Sequence, residues 1–258
     1  MASTTMDQPL EFLSLISHGP RWKLINVLAW SDYRVQELVG FLGLPANLVS
    51  YHLRRLRDQA VVRERRSAAD GRDVYYSLDL DRMRHLFFSA GEKLHPALRD
   101  RNTMEMARLP SDWPIVRVLF LCTKNSARSQ MAEAILRHLG GGKVEAFSAG
   151  TFPAKVHPSA VATMRRHGID ISHQRGKHLD EFRRQSFDYV ITLCDQARER
   201  CPAFPGHPQQ LHWSFPDPVA VESGESTETL AFEATASELM TRIRYLLLLF
   251  ARSSGESR

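Results

Sequence analysis

The chain has 258 residues, 43% hydrophobic and 24% charged, with 14 Gly and 13 Pro. That length suits two domains, and the composition excludes a disordered, collagen-like or low-complexity chain. The formal net charge is +5, with 16 Lys and Arg against 13 Asp and Glu in residues 1–110 and 18 against 16 in the rest, so a nucleic-acid signal has to come from clustering. The longest uninterrupted apolar run, Tyr245 to Ala251, is far below the roughly 20 residues that span a bilayer. Met1 to Gln8 lack a basic segment followed by an apolar one, so a cytoplasmic location is expected.

Leu10, Leu13, Leu15 and Ile16 give a short amphipathic helix that Gly19-Pro20 ends. A second helix carries Leu24, Ile25, Val27 and Leu28, and a third carries Val35, Leu38, Val39 and Leu42 before Gly43. After Leu44-Pro45, the segment Ala46 to Gln59 places Leu48, Val49, Leu53 and Leu56 at helical spacing. Its remaining face shows Asn47, Ser50, Tyr51, His52, Arg54, Arg55 and Arg57. Two helices joined by a tight turn, the second basic outside, fit a helix-turn-helix.

Val61 to Arg66 and Asp73 to Leu78 have strand character, and an Asp-Gly turn lies in the tip between them. Arg63, Arg65, Arg66 and Arg72 decorate this hairpin. Basic helix followed by basic hairpin is a winged helix, and the contiguous arginines are read as a DNA-binding face rather than a merely solvated one. Arg99 to Pro114 is polar and reads as a linker, giving domains 1–110 and 111–258. The expected fold is thus a mainly α winged helix followed by an α/β parallel-sheet domain.

In the second half, Ile115 to Leu121 is a buried-strand pattern that runs into Cys122-Thr-Lys-Asn-Ser-Ala-Arg128-Ser129 and then a helix. A strand, loop and helix N-terminus in that order make an anion site, because unpaired backbone N–H groups and the helix dipole favour negative charge. Amides from Thr123, Lys124, Asn125, Ser126 and Ala127 can wrap a tetrahedral oxyanion while Arg128 forks onto two of its oxygens. The positive surroundings should lower the Cys122 pKa and give a thiolate nucleophile, with Ser129 as hydrogen-bond donor to the sulfur. Asn125 suits a left-handed backbone in so tight a turn.

All three cysteines lie in this half, and an odd number without an export signal argues for reactive thiols rather than a disulfide framework. Phe187 to Leu193 is a further apolar strand ending in Cys194, and Cys201-Pro202 follows seven residues on. Trp213 to Pro218 forms a loop that presents Asp217, and Glu228 to Ala251 reads as a long closing helix. Strands at 115–121, 143–148, 187–193 and 210–213 make a small parallel sheet whose carboxyl ends carry Cys122, Cys194 and Asp217.

The first half, through Ser50-Tyr-His-Leu-Arg-Arg-Leu-Arg-Asp58, Arg66, Gly71-Arg72 and Val74-Tyr-Tyr76, resembles the ArsR-type winged-helix repressors over residues 9–98. The resemblance implies a homodimer, joined through the first and last helices, on a palindromic operator. Arsenite-sensing members use cysteines, and none precedes Cys122 here. Asp81, His85, Glu92 and His95 do not have the spacing of zinc-sensing members and are read as solvated.

The second half, through the Cys122 loop, Gln130-Met-Ala-Glu133, Ser148-Ala-Gly150, Cys194, Cys201-Pro202 and Asp217-Pro218, resembles the low-molecular-weight tyrosine phosphatase fold and the thioredoxin-coupled arsenate reductases built on it. That resemblance implies arsenate or phosphate as the bound oxyanion, Cys122 as nucleophile and Asp217 as general acid. It also implies a relay through Cys194 and Cys201, and thioredoxin as external reductant with no bound cofactor. Ala127 replaces a cysteine and Lys124 a glycine common in such loops. Lys177 stands where some relatives carry an aspartate that helps bind potassium, so no metal ion is expected. A phosphatase fused to a DNA-binding domain, and a non-enzymatic oxyanion- or redox-sensing repressor, are the alternatives.

Overall fold

The computed structural model describes residues 7–69, 71–95, 98, 114–220 and 225–253. The chain divides into two compact units, residues 1–105 and 106–258. The boundary expected at 110 and almost all of the linker expected at 99–114 lie outside the described residues.

The first unit runs α1 (Asp7–Ile16), α2 (Gly19–Leu28), β1 (Tyr33–Arg34), α3 (Val35–Leu42), α4 (Ala46–Asp58), β2 (Val62–Arg66), β3 (Val74–Leu78) and α5 (Leu80–Leu94). Pro20 sits in the first turn of α2, where its missing N–H costs nothing. Gly43 ends α3 in the left-handed region at φ 64°, and its N–H bonds the Val39 carbonyl at 2.9 Å. Asp79 caps α5 by accepting from the Arg82 N–H at 2.9 Å. The core gathers Leu24, Leu28, Leu38, Val49, Leu53 and Leu56. β2 and β3 pair antiparallel with Arg65 opposite Tyr75, and the two-residue β1, too short to show in the sequence pattern, adds to the other edge of β3.

The second unit holds β4 (Val116–Cys122), α6 (Arg128–Gly140), β5 (Val144–Gly150), α7 (Pro158–Arg166), β6 (Tyr189–Thr192), α8 (Asp195–Glu199), β7 (Gln209–His212) and α9 (Glu225–Ser253). Its four strands are parallel in the order β5-β4-β6-β7. β4 is central, and Val118 to Cys122 are all buried, as a strand covered on both faces requires. α9 packs against α6 and α7, burying Phe232, Leu239, Ile243 and Phe250. The strands expected at 115–121, 143–148, 187–193 and 210–213 begin or end one or two residues away from those positions, and the closing helix is longer than 228–251. Among the described residues, no helix is long and apolar enough to cross a membrane.

Candidate functional site

Cys122 is the last residue of β4 and Arg128 the first of α6, so five residues make the turn between them. Asn125 adopts φ 45°, the left-handed conformation expected of it. The turn is held from outside: the N–H groups of Phe152, Ala154 and His157 bond the carbonyls of Thr123, Lys124 and Ser126 at 2.9, 2.9 and 2.8 Å. Gly150 lies beneath it, where a Cβ would come within 2.6 Å of the Thr123 carbonyl and 2.8 Å of the Asn125 nitrogen. This close approach gives the Ser-Ala-Gly150 segment its physical meaning.

Two donors converge on the Cys122 sulfur. The Asn125 N–H lies 3.2 Å from Sγ and the Ser129 hydroxyl 2.8 Å. Ser129 Oγ accepts from Asn125 Nδ2 at 2.9 Å, which leaves the hydroxyl proton free for the sulfur. Both bonds strengthen when the sulfur carries negative charge. Arg128 is buried, donates Nη1 to the Phe215 carbonyl at 3.0 Å, and lies 3.3 Å from Asp217. Asp217 is partly exposed and sets its carboxylate beside the guanidinium that opens α6. Lys124 is exposed in the same turn.

Cys194, the residue before α8, is brought to this site by strand pairing. β6 lies beside β4, and the Thr123 hydroxyl is 3.3 Å from the Cys194 sulfur and donates to Gln196 at 3.1 Å. Burial raises the Cys194 thiol pKa, and the nearby Cys122 adds to the shift; burial alone pushes Cys201 up to about 11. Both are therefore thiols at neutral pH. Helix α8 separates them and is anchored by buried Asp195, which accepts from Ser214 Oγ at 2.8 Å and lies 3.1 Å from His212 Nε2.

Sequence reasoning missed the support beneath the loop. Glu133 and Ser148 are buried, and Lys177 Nζ lies 2.9 Å from Glu133 Oε2 while Arg137 meets Oε1 at 2.8 Å. Ser148 donates to Glu133 Oε2 and accepts from Asn125 Nδ2 at 2.9 Å. The runs containing Glu133 and Ser148 are visible in the sequence, but helix position alone does not separate a buried carboxylate from a solvated one. Gln130 Nε2 adds bonds to the Asn125 carbonyl at 3.0 Å and to the Arg175 carbonyl at 2.7 Å. Among the described residues, no group of three His, Cys, Asp or Glu side chains is placed to hold a metal.

In the first unit Asn47, Tyr51, Arg54, Arg55, Arg57, Arg63, Arg66 and Arg72 are exposed, and Ser50 and Arg65 partly so. His52 is a correction: expected on the outer face, it is buried, with its ring 4.7 Å from that of His18. Position 52 falls between Val49, Leu53 and Leu56 on the core side of α4, so it cannot reach a DNA groove from there. Burial, then His18 and Arg21, lower its pKa, which keeps it neutral. Two arginines are not simply free for phosphates. Arg63 holds Asp79 at 2.6 and 2.8 Å, and Arg57 pairs with Glu64.

A thiol closing a parallel strand, an oxyanion turn and an arginine opening the next helix define a phosphate-loop catalyst of the cysteine type. The family model of the low molecular weight phosphotyrosine protein phosphatases matches residues 117–254, just over half of the chain, and the chain belongs to that family. An arsenate reductase of Halalkalibacterium halodurans is 39% identical over 127 residues, which cover 49% of this chain and 91% of that protein. An arsenate reductase of Bacillus subtilis is 36% identical over 127 residues, with the same shares. Among solved structures, an arsenate reductase in the oxidised state aligns with 53% of this chain and 99% of its own, at 32% identity and a TM-score of 0.46.

Proposed function

We propose that the second unit reduces arsenate to arsenite through Cys122, Cys194 and Cys201, and that the first unit binds operator DNA. The observation that carries the enzymatic reading is the Cys194 thiol against the oxyanion turn, with Cys201 at the far end of α8. Phosphoester hydrolysis uses neither thiol. The arsenate reductases among the relatives support the same reading.

Arsenate binds on the turn amides and Arg128, with Thr123, Lys124, Asn125, Ser126 and Ala127 around it. The Cys122 thiolate attacks arsenic and forms an S–As bond, and Asp217 protonates the departing oxygen so that it leaves as water. Cys194 loses its proton and attacks the Cys122 sulfur. The S–S bond forms, the S–As electron pair passes to arsenic, and arsenite leaves with arsenic reduced by two electrons. Cys201 then attacks Cys194, releasing Cys122 as thiolate. A thioredoxin-class dithiol supplies two electrons to reopen the Cys194–Cys201 bond, with no cofactor held by the chain. Such a relay requires a reducing compartment, which favours the cytoplasm.

For the first unit, a helix pair, a basic α4 and a two-stranded hairpin carrying arginines support a winged-helix reading. Leu10 on α1 and Phe87 and Leu94 on α5 are more than half exposed, and α1 packs on α5, which suits burial of these helices between two copies. Steady-state arsenate reduction with thioredoxin, run beside p-nitrophenyl phosphate hydrolysis, tests the enzymatic reading. Efficient ester hydrolysis without arsenate-dependent thiol oxidation would give the site to a phosphatase. Oxyanion binding without either reaction would make it a sensor.

A further inference from the structure

One buried ionic group beneath the loop takes no part in the reaction. Glu133 projects from α6 with a side chain only 3% exposed, and Lys177 closes over it at 14%. A buried carboxylate is retained only where cations and hydrogen bonds compensate it. Here Arg137 meets one oxygen, and Lys177 meets the other at 2.9 Å.

The bonds leading away from that second oxygen have one direction. A carboxylate can only accept, so the Ser148 proton points at Glu133 Oε2. Ser148 Oγ must then receive its other bond, and the donor is Asn125 Nδ2 at 2.9 Å. That sets the Asn125 amide with Oδ1 toward the Lys177 N–H at 2.8 Å and Gln130 Nε2 at 2.9 Å. The second Nδ2 proton goes to Ser129 Oγ at 2.9 Å, and the Ser129 proton is left for Cys122 at 2.8 Å. Each donor is thus fixed by the acceptor before it, from Glu133 to the sulfur.

We propose that Lys177 is a positioning residue, a cation tethered to the chain that holds Glu133 as an acceptor and so aims the Ser129 hydroxyl at Cys122. A diffusible cation such as potassium does not fit beside Glu133 in this chain. The Lys177 ammonium already lies at bonding distance from the Glu133 oxygen, and lysine offers a cation no ligand. The loop of this chain is therefore set without a diffusible ion. This inference rests on Cys122 being the nucleophile, but not on arsenate being the substrate.

The test is alkylation of Cys122 by iodoacetamide over a pH series, on the reduced full-length protein, with and without phosphate. Wild type should give the same profile in potassium and in tetramethylammonium chloride. Lys177→Met should move the profile to higher pH and slow alkylation at neutral pH about tenfold, the effect of one pK unit. Lys177→Arg should restore it. Should Lys177→Met not fold, Ser148→Ala breaks the same chain of bonds without stranding a charge and should displace the profile in the same direction. A folded Lys177→Met or Ser148→Ala protein with the wild-type profile overturns the proposal, as does a potassium requirement in wild type. Failure of phosphate to protect Cys122 counts against the oxyanion-site reading instead, and neither outcome depends on arsenate turnover.

Discussion

Arg128 and Asp217 face each other at 3.3 Å across the opening of the Cys122 turn. The guanidinium that should grip an oxyanion is thus engaged by the carboxylate that should protonate its leaving oxygen. Under the proposed reading, an oxyanion on Arg128 competes with the Asp217 charge and lies beside that carboxylate. Asp217→Asn should therefore lower the rate of the first step about 10²–10⁴-fold, the usual worth of a general acid. Phosphate affinity should hold or improve, because the competing charge is gone. Phosphate titration followed by tryptophan fluorescence, beside single-turnover kinetics, separates the two effects. Loss of phosphate affinity would remove Asp217 from the acid role.

The relay makes a prediction of its own. Cys194→Ser and Cys201→Ser proteins should each stop multiple turnover with thioredoxin while keeping one Cys122-dependent event per molecule. Cys122→Ser should abolish both. Quenched-flow measurement of arsenite formed per chain reads this directly, and full multiple turnover in Cys201→Ser would remove Cys201 from the mechanism.

Burial pushes Cys201 up to about 11, so between about pH 9 and that value the folded thiol keeps a proton that the unfolded chain has lost. Stability from this group is complete below about pH 9 and is lost as pH rises through about 11. For a partly exposed thiol the loss should be about 1–2 kcal/mol. Urea midpoints at pH 8 and above should fall less in Cys201→Ser than in wild type. Parallel curves for the two proteins would show that the thiol is solvated.

Much of this arrangement is legible in residue order, for reasons that are local. Val118 to Cys122 have to be a strand buried on both faces, and a turn of five residues from strand to helix leaves few places for Cys122 and Arg128 other than one opening. Asn125 is readable because few side chains tolerate φ 45°. What escapes depends on contacts distant in sequence. Lys177 reaches Glu133 across 44 positions, and Arg128 finds the Phe215 carbonyl across 87. His52 is a different failure. Its spacing from Val49 and Leu56 points inward, but a polar residue flanked by Tyr51 and Arg54 groups with its chemical neighbours more readily than with its helix face.

The basic face of the first unit is not uniform, and that gives the last prediction. Arg63 is held by Asp79, and Arg57 by Glu64, so either must leave a carboxylate before meeting a phosphate. Such exposed pairs are weak, but each offsets part of one phosphate contact. Arg54 and Arg55, exposed on the same helix as Arg57, have no ion pair of that kind within hydrogen-bond range among the described residues. Arg54→Ala and Arg55→Ala should each reduce the slope of log affinity against log salt by about 1 on a mixed-sequence duplex. Arg63→Ala and Arg57→Ala should change it by clearly less, and His52→Leu should leave it unaltered because His52 is buried. Fluorescence anisotropy with the full chain over a salt series gives all five slopes. Equal losses at Arg54, Arg57 and Arg63 would mean that DNA breaks the ion pairs freely, and no loss at Arg54 or Arg55 would place the nucleic acid elsewhere.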